Sequence, residues 1–154
     1  MRQFPLLKLA NKTIVTTKNS MPKPRILIVD DEPGLLRLLT LNLEKMNRYE
    51  VLPIVDACQA FEAVVKFKPD LVILDWIMPT IPGEEVAEQI RADFRVANTP
   101  ILFFSAFIMK RDGHQEISGF PAIAKPIEMH ELVEAIDEQL EKAVDLRKSP
   151  IEVL

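Results

Sequence analysis

Arg25-Ile-Leu-Ile-Val-Asp30-Asp31-Glu32-Pro33 is the stretch on which the fold turns. Its apolar centre is too short for a helix and too uniformly apolar for a strand with one wet face. It predicts a strand buried on both sides. The acids and Pro33 end the run, and Leu35, Leu39, Leu43 and Met46 then recur at a spacing that predicts one helical face. A strand followed by a helix is therefore the first unit.

The unit repeats along the chain. Val51–Val55 predicts a strand and Ala57–Phe67 a helix; Leu71–Leu74 a strand and Glu84–Arg95 a helix; Ile101–Phe104 a strand and Ile108–Ile117 a weaker helix. Phe120–Ala124 and a helix over Ile127–Lys142 close the series. Strands apolar on both sides need cover on both sides, which right-handed crossovers supply. The expected fold class is thus α/β: a doubly wound, five-stranded parallel sheet in the flavodoxin-like order 2-1-3-4-5, with helices on both faces.

Composition agrees with one globular domain. The chain has 154 residues, of which 48% are hydrophobic and 27% charged, and its mean hydropathy is +0.08. No apolar run approaches the roughly 18 residues of a membrane span. The single Cys58 excludes an internal disulfide and a multi-cysteine metal site, and fits a reducing compartment, so a cytoplasmic location is expected. Net charge is −4, but the first 22 residues carry four cations and no acid, which leaves an acidic body that disfavours direct nucleic-acid binding. Residues 1–23 are expected to form a flexible N-terminal tail, residues 24–143 the domain and residues 144–154 a C-terminal tail.

In doubly wound sheets, ligands bind beyond the carboxyl ends of the strands. Those positions hold Asp30-Asp31-Glu32 after the first strand, Asp75 after the third, Ser105 after the fourth and Lys125-Pro126 after the fifth. Three neighbouring carboxylates repel one another unless they share a cation. Oxygen ligands with no clustered His or Cys suit Mg²⁺. With a metal in place, one carboxylate can attack a phosphoryl group, while Lys125 and Ser105 meet its oxygens. Read singly these residues have ordinary explanations: Asp30-Asp31-Glu32-Pro33 as a helix start, Ser105 as a turn hydroxyl, Lys125 as surface charge. His130-Glu131 lacks a second His at position 134 and is expected on a helix surface.

The ordered set, Asp30-Asp31, Asp75-Trp-Ile-Met-Pro79 with Gly83, Ser105-Ala106 and Lys125-Pro126, resembles the receiver domain of two-component response regulators over about Pro24 to Lys142. The resemblance implies that Asp75 accepts phosphate from a histidine kinase or phosphotransfer protein, and that the chain is no enzyme beyond its own phosphorylation and dephosphorylation. It implies Mg²⁺ held by Asp31, Asp75 and the backbone carbonyl of Ile77, with Asp30 acting mainly through water. Ser105 and Lys125 would contact the phosphoryl oxygens, and the Lys125–Pro126 peptide would tend toward cis. Output is expected through an unknown protein target, with a homodimer left open.

Three features set the chain apart from the family pattern. Ala122 stands where a Tyr or Phe is usual, and a methyl group has no rotamer to switch. The stretch from Ser105 to Lys125 is about two residues short and places Asp112-Gly113 inside the weak helix, where Gly costs roughly 1 kcal/mol. Ile77 and Phe107 are apolar where water would approach an acyl phosphate, so slow self-dephosphorylation is expected. Ala122 and the weak helix also support an alternative, a degenerate receiver acting as a non-switching scaffold.

Overall fold

The computed structural model describes residues 21–110 and 115–149. The expected tail at residues 1–23 falls largely outside them. The elements run β1 (Arg25–Val29), α1 (Pro33–Lys45), β2 (Glu50–Ile54), a 3₁₀ turn (Ala57–Gln59), α2 (Ala60–Phe67), β3 (Leu71–Asp75), α3 (Gly83–Ala92), β4 (Ile101–Ser105), β5 (Gln115–Ile117), β6 (Phe120–Ala124) and α4 (Met129–Lys148).

One sheet of order β2-β1-β3-β4-β6-β5 organises them. The pairs β1–β2, β1–β3, β3–β4 and β4–β6 are parallel. Strand alternation divides the core in two. Leu27, Val29, Val72, Leu74 and Phe103 meet Val64, Val86 and Ile90 from α2 and α3. Ile26, Ile28, Ile73, Leu102 and Phe104 meet Leu36, Leu39 and Leu43 from α1 and Leu132 and Ile136 from α4. Every side chain of β3 and β4 is buried, as central parallel strands require. Pro53, which cannot donate to a ladder, lies on the outer strand β2.

The expected five parallel strands form the body of the sheet, with a sixth strand added. Of the expected helix over Ile108–Ile117, residues 111–114 lie outside the described residues, residues 108–110 are not helical, and residues 115–117 form β5, antiparallel to β6. The cause is local: Ser118 (φ 51°) and Gly119 (φ 80°) both take the left-handed region, as two-residue hairpin turns need, and fold β5 back on β6. The α1 stripe is also shifted. Leu36, Leu39 and Leu43 are buried, whereas Leu35 is half-buried and Met46 caps the helix in solvent. Finally, α4 starts at Met129, because the Glu131 carboxylate accepts from the Glu128 backbone N–H at 3.1 Å. It runs on to Lys148 because no Pro or Gly intervenes before Pro150. None of the described helices is long and apolar enough to cross a membrane.

Candidate functional site

The carboxyl ends of β1, β3, β4 and β6 converge on one acidic pocket. Asp30 follows β1 and is 1% exposed. Its backbone N–H donates to the Ile54 carbonyl at 3.1 Å, continuing the ladder with β2. One carboxylate oxygen accepts from the Glu32 N–H at 2.9 Å and the other from Lys125 Nζ at 2.6 Å. Asp75 ends β3, and Asp31 follows Asp30. Ligand atoms of Asp30, Asp31 and Asp75 all lie within 4.8 Å of one another.

Lys125 reaches this group from the end of β6. Its ammonium lies 3.5 Å from Asp75 and 3.6 Å from Glu32, with only 9% of its side chain exposed. It passes over the Phe104 ring at 5.1 Å, and its backbone N–H donates to the Ser105 carbonyl at 2.9 Å. The Lys125–Pro126 bond is cis. Burial works against the ammonium, but its hydrogen bond to Asp30 and its attraction to Asp30, Asp75 and Glu32 outweigh this and raise its pKa. Ser105 is fully buried, and its Oγ accepts from the Phe107 N–H at 3.1 Å.

Burial lifts the Asp75 carboxyl from 3.8 to about 6; Lys125 opposes this, while the charges of Asp30 and Asp31 and a hydrogen bond with Asp31 reinforce it. Among the described residues one ammonium is shared by Asp30, Asp75 and Glu32, with Asp31 beside them, so negative charge is left over around Asp75. A hard divalent cation fits that surplus, since the whole donor set is carboxylate oxygen.

The loop after Asp75 is held tight by Gly83. The Gly83 N–H donates to the Trp76 carbonyl at 2.8 Å, and a methyl group on Gly83 would fall 2.2 Å from the Asp75 carbonyl oxygen. Only glycine lets α3 start that close to the strand end. Ile77, two residues after Asp75, and Phe107, two residues after Ser105, have 46% and 69% of their surfaces exposed.

Asp30, Asp31, Asp75, Ser105 and Lys125, singled out from strand ends alone, thus lie at one end of the sheet, with Ile77 in the loop beside them. Sequence reasoning missed Phe104 beneath the Lys125 amine. A strand residue directly before a site residue, paired with Ile123 of β6, was the available signal. It also missed the Ser118-Gly119 turn, a two-residue hairpin signal between Ile117 and Phe120. His130 is exposed in the first turn of α4, away from this chemistry.

Comparison with known proteins gives the same reading of the chain. A family model described as the response regulator receiver domain matches residues 26–137. Among curated proteins, the DNA-binding dual master transcriptional regulator RpaA of Synechocystis is 35% identical over 115 residues, covering 71% of this chain and 46% of that protein. The phosphate regulon transcriptional regulatory protein PhoB of Pseudomonas aeruginosa is 35% identical over 130 residues, covering 81% of this chain and 53% of that protein. The chain therefore spans about half the length of these relatives. Among solved structures, the receiver domain of the sensor histidine kinase PA1611 from Pseudomonas aeruginosa, which has a magnesium ion coordinated in its cleft, superposes with a TM-score of 0.66 at 22% identity. That match covers 78% of this chain and 99% of the other.

Proposed function

The chain belongs to the response-regulator receiver family, and from that premise we propose that it is a Mg²⁺-dependent phosphoacceptor that takes a phosphoryl group on Asp75 from a histidine kinase or phosphotransfer protein. The observation that carries the proposal is the convergence of Asp30, Asp31 and Asp75 within 4.8 Å, with Lys125 3.5 Å from Asp75. Asp31, Asp75 and the backbone carbonyl of Ile77 would hold Mg²⁺, with Asp30 contributing through water. When bound, the ion supplies charge neutralisation for the acids and for the incoming phosphoryl group.

Asp75 is the nucleophile. A carboxylate oxygen attacks phosphorus, a P–O bond forms, the P–N bond of a phosphohistidine breaks, and the imidazole leaves with the electron pair and takes up a proton. Lys125 neutralises charge on the phosphoryl oxygens, and Ser105 offers its hydroxyl to one of them. Asp30 acts as a positioning residue, because one carboxylate oxygen is fixed by the Glu32 N–H while the other holds the Lys125 ammonium against the pocket. The module signals by protein contact in the cytoplasm, with a downstream protein as target. It turns over no separate substrate.

Incubating the full chain with Mg²⁺ and acetyl phosphate tests this. Intact-mass measurement is expected to show one added phosphoryl group, absent with EDTA and absent in Asp75→Asn. A second reading, a scaffold that keeps the fold without switching, is favoured by Ala122 and by β5 standing where a helix was expected. No mass gain on the wild-type chain in Mg²⁺ selects that reading.

A further inference from the structure

The opposite end of the sheet carries a second feature, unrelated to phosphoryl chemistry. A groove of about 800 Å³ runs between the start of β4, the β5–β6 turn and the last turns of α4. Among the described residues its lining includes Arg91, Lys142 and Arg147 and no Asp or Glu, in a chain with 23 acids and a net charge of −4. Its apolar lining includes Pro100, Phe120 and Leu146, the last 78% exposed.

We propose that this groove docks an acidic amphipathic segment of a partner protein, its carboxylates on Arg91, Lys142 and Arg147 and its apolar side chains on Phe120 and Leu146. Each cation is placed for this. Arg91 is anchored by one nitrogen, which donates to the Ala97 and Thr99 carbonyls at 2.8 and 2.7 Å, and its guanidinium stacks 5.1 Å from the Phe120 ring. The anchoring fixes the guanidinium as part of the groove wall rather than as a mobile surface charge. Arg147 makes no ion pair among the described residues, and Lys142 pairs only within its own helix, with Glu138 at 2.7 Å.

Basic residues at a helix C-terminus are favoured by the helix dipole in any case, which accounts for Arg147. The same explanation covers Arg91 in the last turn of α3, but it does not account for the anchoring of that guanidinium on the Ala97 and Thr99 carbonyls or for the exposure of Leu146. The combination of one anchored and two helix-borne cations with an exposed leucine is what an acidic amphipathic segment complements.

The test uses the unphosphorylated full chain and a fluorescein-labelled peptide of alternating leucine and glutamate pairs, about three helical turns long. Anisotropy is expected to show saturable binding that weakens with added salt. The double variant Lys142→Glu/Arg147→Glu is expected to weaken it at least about tenfold, and Leu146→Ala by a smaller factor at unchanged charge. A peptide with lysine for glutamate should not bind. Acetyl phosphate labelling of Asp75 in the variants stays at the wild-type level, which shows that they fold and separates this proposal from the phosphoacceptor reading. Absence of binding, binding indifferent to both variants, or displacement by a single-stranded oligonucleotide that binds the groove more tightly than the peptide would overturn it.

Discussion

The two sides of the phosphoacceptor pocket are built differently. On the β1–β3 side Asp30 has both carboxylate oxygens engaged, Asp75 lies under Lys125, and Gly83 locks the following loop against the strand. On the β4–β6 side Lys125 is as firmly held, but the groups around it carry fewer polar contacts among the described residues. Ser105 Oγ accepts one backbone N–H, Phe107 stands 69% exposed, and Ala122 offers only a methyl group. Phe120, the nearest aromatic on the same strand, packs edge-to-face on Phe103 at 5.6 Å and under Arg91, away from the pocket. The difference teaches that capturing a phosphoryl group and passing on the news are separable in one fold. The first needs fixed charges, the second an element with two arrangements.

The largest expected effect comes from breaking the charged side. Lys125→Met removes the ammonium bonded to Asp30, which is 1% exposed, and leaves a buried carboxylate without its cation. Loss of such a partner costs about 3–5 kcal/mol. Chemical denaturation in EDTA should show a drop of that size, partly recovered with excess Mg²⁺, together with loss of acetyl phosphate labelling. A variant as stable as the wild type would mean that the Asp30–Lys125 pair does not hold the pocket.

Gly83→Ala probes the same side through sterics alone. The new methyl would meet the Asp75 carbonyl oxygen at 2.2 Å, a backbone atom that can yield only by moving the acceptor strand or α3. Overpacking of this kind costs roughly 1–3 kcal/mol. Slower labelling of Asp75 should accompany the lower melting temperature, since the displaced atom belongs to the phosphoacceptor itself. Unchanged labelling would show that the loop has more room than its contacts indicate.

How far the two sides could be read from sequence follows the same division. The charged side was legible because each residue occupies a fixed point of a repeating pattern: a short apolar run, then the acid or the lysine. Parallel strands in one sheet bring such ends together without any further information. The α1 stripe was misplaced by one residue at its start, since Leu35 and Leu36 both fit a helical period and only the packing of Leu36 against β1 and β3 decides between them. The β4–β6 side was less legible. A weak apolar pattern over Ile108–Ile117 suits a helix or a strand, and the choice was made by Ser118 and Gly119, whose positive φ angles form the hairpin. The length of α4 was underestimated because helices stop at a breaker, not where their buried face ends.

Titration separates the sides without any new steric bulk. In metal-free protein, burial raises Asp75 from 3.8 to about 6, against the opposing pull of Lys125. The folded state then holds this proton more tightly than the unfolded chain does. Its contribution to stability is fully present below the unfolded value near 4 and is lost as pH rises through about 6. With allowance for solvent screening the loss is on the order of 1–2 kcal/mol. Melting curves in EDTA from pH 4 to 7, taken as wild type minus Asp75→Asn, should fall across that window, and saturating Mg²⁺ should flatten or reverse the fall. A flat difference in EDTA would mean that Asp75 is not desolvated.

The smallest effect expected concerns water. Ile77 stands two residues after Asp75 on the tightly held side, and Phe107 two residues after Ser105 on the sparse side. Neither side chain can orient a water molecule for attack on an acyl phosphate, so loss of the phosphoryl label should take minutes or longer on the scale of ordinary turnover. Ile77→Asn introduces an amide able to hydrogen-bond and orient water in a loop already fixed by Gly83, and this positioning of the attacking water should shorten the half-life by about tenfold. Phe107→Asn places the same amide at the more exposed position, where 69% exposure against 46% leaves it less constrained, and a smaller change is expected. A wild-type half-life of seconds would reject the shielding account. Equal acceleration by both substitutions would instead show that the two positions are equally ordered around the phosphoryl group, and would remove the contrast between them where it matters for the lifetime of the signal.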